Sequence, residues 1–276
     1  MMFMETIRIK GTALEVLRIA APPGAVASAA STASTATIVF LHEGLGSVAM
    51  WRDWPAQVCA ASGRAGIVYS RQGYGGSERL DNPRGAPVEL RGRRAGRLLP
   101  DYMHREAWEV LPELLQRQGI RAPVLLGHSD GGSIALLHAS RHPVSACIVM
   151  APHVVVEDVS VQAITQARKA FEQGDLRERL KRYHADVDGA FWQWNDIWLS
   201  SAFRNFDIRG DCRRIEAPVL ALQGVDDPYG SMAQIELIAP RGPIELHKLA
   251  HCGHSPHRDQ PALALQLACD FMRERS

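Results

Sequence analysis

Val124-Leu125-Leu126-Gly127-His128-Ser129-Asp130-Gly131-Gly132-Ser133-Ile134 is the stretch that decides the reading of this chain. An unbroken apolar run enters it, as expected of a strand buried on both sheet faces, and a helix through Ile134, Leu137 and His138 leaves it. Between them lies Gly-x-Ser-x-Gly. The glycines permit a tight strand-to-helix turn, which lifts the Ser129 hydroxyl out of the backbone at the positive end of the helix. Such a pattern alone is common in turns; the entering strand and departing helix make it a candidate nucleophile.

The same alternation extends outward. Residues 37–41 and 66–70 read as further short buried strands, and residues 146–150, 219–222 and 244–249 as later strands. Residues 6–10 and 14–20 read as an opening hairpin around Gly11-Thr12. Residues 51–61 and 101–118 read as helices, the second with Trp108, Leu111, Leu114 and Leu115 on one face and Gly119 to stop it. Strands alternating with helices imply right-handed crossovers: an α/β fold with a mostly parallel, doubly wound sheet of about eight strands. The alternation fails between His153 and Arg214, where helical periodicity and an aromatic cluster take over. We therefore read residues 1–153 and 214–276 as the core domain and 154–213 as a helical cap insertion above the C-terminal strand ends, where open α/β sheets bind ligands.

Composition narrows the function classes. The 276 residues carry 31 Lys plus Arg against 30 Asp plus Glu, a net charge of +1, so no global field gathers nucleic acid. No segment approaches the roughly 18 apolar residues of a membrane span. The five cysteines (Cys59, Cys147, Cys212, Cys252 and Cys269) are scattered and form no C-x-x-C pair, so neither a disulfide framework nor a zinc ribbon is expected. The Ala/Ser/Thr-rich tract at 19–37 resembles an export signal at Ala27-Ser28-Ala29, but Pro22, Pro23 and Gly24 interrupt its apolar region. A cytoplasmic location is the simplest expectation.

A serine hydroxyl needs a histidine base and an acid to orient it. The chain supplies Asp226 and Asp227 just after the 219–222 strand and His251, His254 and His257 just after the last strand, all at the edge that carries Ser129. The three-residue histidine spacing would mimic a metal-binding helix face, but Gly253 and Pro256 oppose a helix there, so no metal is expected. His254, between Gly253 and Ser255, is the candidate base; His257 reads as a polar residue of the following turn.

These motifs, together with Phe40-Leu41-His42-Glu43-Gly44-Leu45-Gly46 and Arg71-Gln72-Gly73-Tyr74-Gly75-Gly76-Ser77, resemble the α/β-hydrolase superfamily over nearly the whole chain. The resemblance implies a triad of Ser129, His254 and Asp227, because the superfamily's acid commonly lies three residues after the glycine, here Gly224; Asp226 is the chief rival, and Asp158 a remoter one. It also implies an oxyanion hole built from the backbone N–H groups of Asp130 and Gly44. Glu43 departs from the pattern, standing where most relatives carry glycine. A carboxylate there would disfavour anionic acyl groups unless turned away or paired with an arginine such as Arg71. Aspartate-nucleophile dehalogenases and epoxide hydrolases, and cysteine-nucleophile dienelactone hydrolases, are excluded by Ser129.

Trp192, Trp194 and Trp198 fall within seven positions and read either as an apolar pocket roof or as packing of the cap. Arg84, Arg91, Arg93, Arg94 and Arg97 read as a solvated loop, with a site for carboxylate, phosphate or coenzyme A as the alternative. The Gly73–Ser77 stretch reads as a structural turn, lacking the ending of a phosphate loop. The expectation is a cofactor-independent serine hydrolase acting on a small or medium carboxylic ester, lactone or thioester with an apolar moiety. It is expected to need neither nucleic acid nor membrane, and a homodimer is left open. The alternatives are a C–C bond hydrolase of ring-cleavage products, against which Asp130 stands where such relatives often carry Met, and a non-catalytic small-molecule-binding protein of the same fold.

Overall fold

Eight strands form one sheet in the computed structural model, which describes residues 1–23, 36–90 and 93–275. They are β1 (Met2–Ile9), β2 (Thr12–Ile19), β3 (Ile38–Leu41), β4 (Gly66–Tyr69), β5 (Val124–His128), β6 (Ala146–Met150), β7 (Val219–Gly224) and β8 (Ile244–Leu249). Their spatial order is β1-β2-β4-β3-β5-β6-β7-β8. β2 runs antiparallel to both β1 and β4, and every other pairing is parallel. Lys10 and Gly11 both take positive φ, 50° and 79°, which matches the twist a two-residue hairpin between β1 and β2 requires. The sequence-based strand bounds agree to within a few residues. Most of the tract at 19–37 lies outside the described residues.

The central strands are short and wholly buried because helices cover both faces. Their alternating side chains split the core in two. Phe40, Leu126, Ile148 and Leu220 pack against α1 (Trp54–Ser62) and α7 (Pro261–Arg275). Val39, Leu125, Cys147 and Ala221 face the other way, toward α2 (102–117) and α3 (Asp130–Ala139). α2 is one continuous helical run, but Glu106–Val110 adopts a π-helical turn within it, a departure that apolar periodicity alone does not reveal. The turn carries Glu106, whose carboxylate accepts a 2.7 Å hydrogen bond from the Tyr69 hydroxyl at the end of β4.

Between β6 and β7 the chain leaves the sheet through α4 (Asp158–Gln173), α5 (Leu176–Leu180) and α6 (Val187–Trp198). An isolated antiparallel bridge, Val155 to Asp207, ties the outgoing and returning strands of this insertion together. Phe171 of α4 stacks on Phe191 of α6 with centroids 3.7 Å apart and planes 6° from parallel.

The arginine-rich segment corrects the sequence reading of a structureless exposed loop. Glu89–Leu90 pairs with Arg93–Arg94 as a two-stranded ladder, and Ala95 is buried beneath it. Arg84 lies 4.0 Å over the Trp192 ring and bridges Asp196 at 2.7 Å, while Arg94 faces Glu89. Arg84 and Arg94 thus go to separate partners; Arg91 and the side chain of Arg93 lie outside what is described.

Phe191→Ala is expected to cost about 3–5 kcal/mol, the usual range for emptying a buried aromatic site. Thermal denaturation measures the total. Hydrogen exchange should place the loss of protection in residues 158–205, and an unchanged exchange pattern there would contradict the packing described.

Candidate active site

Ser129 sits where β5 becomes α3, with φ 53° and ψ −120°. That conformation costs a non-glycine residue about 1–3 kcal/mol, so the surroundings must impose it. They do so by close packing: a Cβ on residue 131 would fall 2.0 Å from the Leu41 carbonyl oxygen. Only glycine lets the start of α3 press against the end of β3. Ser129 N–H donates to the Met150 carbonyl at 2.9 Å, and its own carbonyl accepts from the Ser133 amide at 3.0 Å. The hydroxyl is left pointing away from the backbone ladder.

His254 and Asp227 arrive on the loops after β8 and β7. His254 Nε2 lies 2.9 Å from Ser129 Oγ, and its Nδ1 lies 2.8 Å and 3.0 Å from the two oxygens of Asp227. With Nδ1–H donated to the carboxylate, the Nε2 lone pair faces the hydroxyl, the tautomer a general base requires. Asp227 also accepts from Gln223 Nε2 and from the Tyr229 amide, both at 2.7 Å. Burial pushes its carboxyl upward, but the bonds and charge from His254 and the Tyr229 amide outweigh burial and hold it below the ordinary value. The rival Asp226 is exposed, with its backbone amide on the Cys252 carbonyl; Asp158 is exposed at the start of α4, paired with Arg204 at 2.9 Å.

Gly44 and Asp130 border the same cavity as Ser129 and His254. A Cβ on Gly44 would lie 2.2 Å from Trp194 Nε1, so an alanine cannot stand there without moving the tryptophan. Buried Arg71, which sequence reasoning offered only as a partner for the Glu43 carboxylate, holds this loop by its backbone instead. Its guanidinium donates to the His42 carbonyl at 2.6 Å and the Glu43 carbonyl at 2.9 Å, and its amide donates to His42 Nε2 at 3.0 Å. The Asp130 side chain turns inward, 3.9 Å from Arg71 and hydrogen-bonded to Tyr102. Burial dominates there, raising its carboxyl pKa against the opposing pull of Arg71 and Tyr102.

The Glu43 carboxylate has other partners. One oxygen meets His128 Nδ1, and the other lies 3.4 Å from Arg258 Nη2. His128 Nε2 in turn donates to the His254 carbonyl at 2.6 Å. Both ring nitrogens of His128 therefore face acceptors, and the Glu43–His128 pair props the backbone of the candidate base. Burial raises the Glu43 carboxyl, yet the His128 charge and hydrogen bond, with Arg258, hold it well below the ordinary range. His257, read from sequence as a polar residue of the following turn, lies in a short helix (Pro256–Asp259) and is buried against Trp51 and His128 at ring distances of 4.9 and 4.8 Å. Its ligating atom gathers with those of Glu43 and His128 within 4.8 Å, but His128 has both nitrogens committed to hydrogen bonds.

The cavity above Ser129 has a volume of about 480 Å³, and Ile164, Leu176, Leu180, Trp194 and Trp198 of the inserted helices supply its apolar wall. Trp192 is a correction: it does not reach the cavity. Two positions from Trp194 on a helix is about 200° of rotation, so its ring turns outward between Arg84 and Arg168. Sequence reasoning also missed His153, which borders the cavity 5.8 Å from His254 and is pushed down to about 3 by burial and by His254. It lies three residues past the end of β6, at the edge that carries Ser129, and that position was the available signal.

Residues 38–266 match the sequence family described as the Alpha/beta hydrolase family. One curated relative, the 2-succinyl-6-hydroxy-2,4-cyclohexadiene-1-carboxylate synthase of Enterobacter sp. (strain 638), is 25% identical over 203 residues, covering 62% of this chain and 74% of the relative. Among solved structures, the enol-lactonase from Burkholderia xenovorans LB400 superposes with a TM-score of 0.68 at 17% identity, covering 98% of this chain and 100% of that one. The thermophilic esterase from Thermogutta terrifontis gives 0.66 at 16% identity, covering 98% of each chain. At those identities the structural likeness speaks for the fold.

Glu43→Ala is expected to lower stability at neutral pH by up to about 3 kcal/mol, because it strips one partner from a buried pair. A carboxyl depressed in the folded state contributes fully above its unfolded pKa and loses its contribution as pH falls through the folded one. Denaturant titrations of both proteins should therefore show a gap that is widest at neutral pH and closes on acidification. A gap independent of pH would rule out the charged pair.

Proposed function

The chain belongs to the alpha/beta hydrolase family, and from that premise we propose that it is a serine hydrolase acting on a small or medium carboxylic ester, or a related lactone or thioester. The observation that carries this reading is the continuous hydrogen-bond line from Asp227 through His254 to Ser129, ending in the apolar-walled cavity.

In this mechanism His254 Nε2 takes the Ser129 proton as Oγ bonds to the substrate carbonyl carbon. Negative charge gathers on the former carbonyl oxygen, where the Asp130 and Gly44 amides receive it; each such donor lowers the barrier by about 3 kcal/mol. Collapse breaks the bond to the leaving group, which departs with the proton from His254. Water then enters, loses a proton to His254 and releases the acid from Ser129. The Asp227 carboxylate stabilises the imidazolium in both halves. The inserted helices serve as the cap that supplies the apolar wall, and neither a metal nor a cofactor takes part in these steps.

A second reading has one observation in its favour: the Enterobacter relative is named as a synthase of a cyclohexadiene carboxylate and not as an esterase. Cleavage of a carbon–carbon bond beside a carbonyl would use the same serine and histidine.

Fluorophosphonate treatment should add one adduct to the wild-type mass and none to Ser129→Ala. Turnover of short p-nitrophenyl esters should vanish in the same variant, and Asp227→Asn should reduce kcat by about 10⁴-fold. Labelling without ester or thioester turnover would favour carbon–carbon cleavage. The absence of both in folded protein would leave a ligand-binding protein of this fold.

A further inference from the structure

The wall of the catalytic cavity is apolar in its depths and basic at its exposed edge. Arg52, Arg179, Arg182 and Arg258 all border the space that contains Ser129, although they come from separate parts of the chain. Arg52 follows a short 3-10 turn, Arg179 and Arg182 lie at the end of α5 and just beyond it, and Arg258 lies beside His254. All four are exposed, whereas Trp194, Trp198, Ile164 and Leu180 are buried.

Of the four, Arg258 alone meets an acid of the cavity, Glu43; the charges of Arg52, Arg179 and Arg182 are not answered from within it. Among the described residues two carboxylates border it. Glu43 is engaged on both oxygens by His128 and Arg258, and Asp130 is turned into the interior toward Arg71 and Tyr102. Arg179 has a single contact, at 3.5 Å, with the largely exposed Asp175. Arg182 rests on the Tyr183 ring, and no acid among the described residues pairs with it or with Arg52. Arg52 is held in a further unfavourable backbone state, φ 55° and ψ −133°. A cleft lined by one sign of charge with low-dielectric walls concentrates ligands of the opposite sign.

We propose that this rim selects substrates carrying an anionic group, carboxylate or phosphate, remote from the carbonyl that Ser129 attacks. The inference rests on the hydrolase reading and names the substrate class of the same site. Arg52 and Arg182, the two arginines without an acid, provide the principal contacts by charge-assisted hydrogen bonds. The apolar wall takes the connecting chain.

Two matched pairs of probes separate the two anions. The carboxylate arm compares 4-nitrophenyl hydrogen adipate with 4-nitrophenyl methyl adipate. The phosphate arm compares acetyl-coenzyme A with the acetyl thioester of N-acetylcysteamine. In at least one arm kcat/KM for the anionic member should exceed that of its neutral partner by about tenfold or more, and added salt should shrink the ratio. In Arg52→Ala/Arg182→Ala the ratio should collapse toward one, mainly through KM, and Arg52→Lys/Arg182→Lys should restore part of it. The ratio is internally normalised, so a general loss of folding leaves it unchanged. A ratio near one in both wild-type arms, or a preference that survives the double alanine variant, overturns the proposal. Turnover of the neutral members reports separately on the hydrolase reading. Should no probe be turned over, calorimetric titration of adipate and coenzyme A into wild type and the double alanine variant decides the rim alone: binding lost in the variant upholds it, and no binding to wild type refutes it.

Discussion

The left-handed turn at Ser129 exists because α3 can press against the end of β3, and residue 131 allows this by having no side chain. That contact lies where the chain order reverses, β3 and β5 being neighbours while β4 sits on the far side of β3. At such a switch the loops after adjacent strands diverge and leave a crevice. Ser129 occupies one side of it and the His42–Gly44 loop the other. The loops after β7 and β8, parallel neighbours in the same sheet, bring Asp227 and His254 to the same edge. A rearrangement of the Gly131 contact would therefore misplace Ser129 and both neighbouring loops together.

A second layer of buried charge keeps this arrangement rigid. Arg71 spends its donors on two backbone carbonyls of the His42–Gly44 loop, while the Glu43–His128 pair bonds to the carbonyl of His254. Groups that work in catalysis must not reorganise as charge develops, and backbone anchoring from buried ions provides that stiffness. The inserted segment shares in it. His184, on the inserted segment, accepts from the Gly75 amide at 3.0 Å and donates to the Leu45 carbonyl at 2.9 Å. Desolvation lowers its pKa, in keeping with a neutral ring that must accept at one nitrogen and donate at the other.

The central strands were legible because they are short, continuous apolar runs bounded by glycine-rich turns, a pattern set by burial on both faces. Ser129, Asp227 and His254 were legible for a related reason: each follows a strand end at the same edge, although β8, before His254, is a partly exposed edge strand of alternating residues. What could not be read was side-chain partnership across distance. Glu43 and His128 are far apart in sequence, so a departure from the usual glycine was visible while its partner was not. The Trp192–Trp194–Trp198 cluster was misjudged in part because proximity in sequence is not proximity on a helix face. The arginine-rich segment showed the opposite fault: two arginines close in sequence, Arg84 and Arg94, go to separate partners in space, while arginines scattered through the chain border one cavity.

Glu43 connects these observations. Read alone, a carboxylate in this loop argues against anionic substrates, since it would repel them at the point of reaction. In place, its two oxygens are taken up by the His128 imidazole and by Arg258, so neither is left as a free acceptor in the cavity. The cation it engages, Arg258, also donates to the Met50 carbonyl at 3.1 Å and so fixes that side of the rim. Arg52 and Arg182 remain outside those contacts, close enough to solvent to meet an incoming anion and on the border of the space that holds the serine. The substitution that weakens the resemblance to the usual loop thereby becomes compatible with a basic entrance, because the charge that would oppose it is already paired.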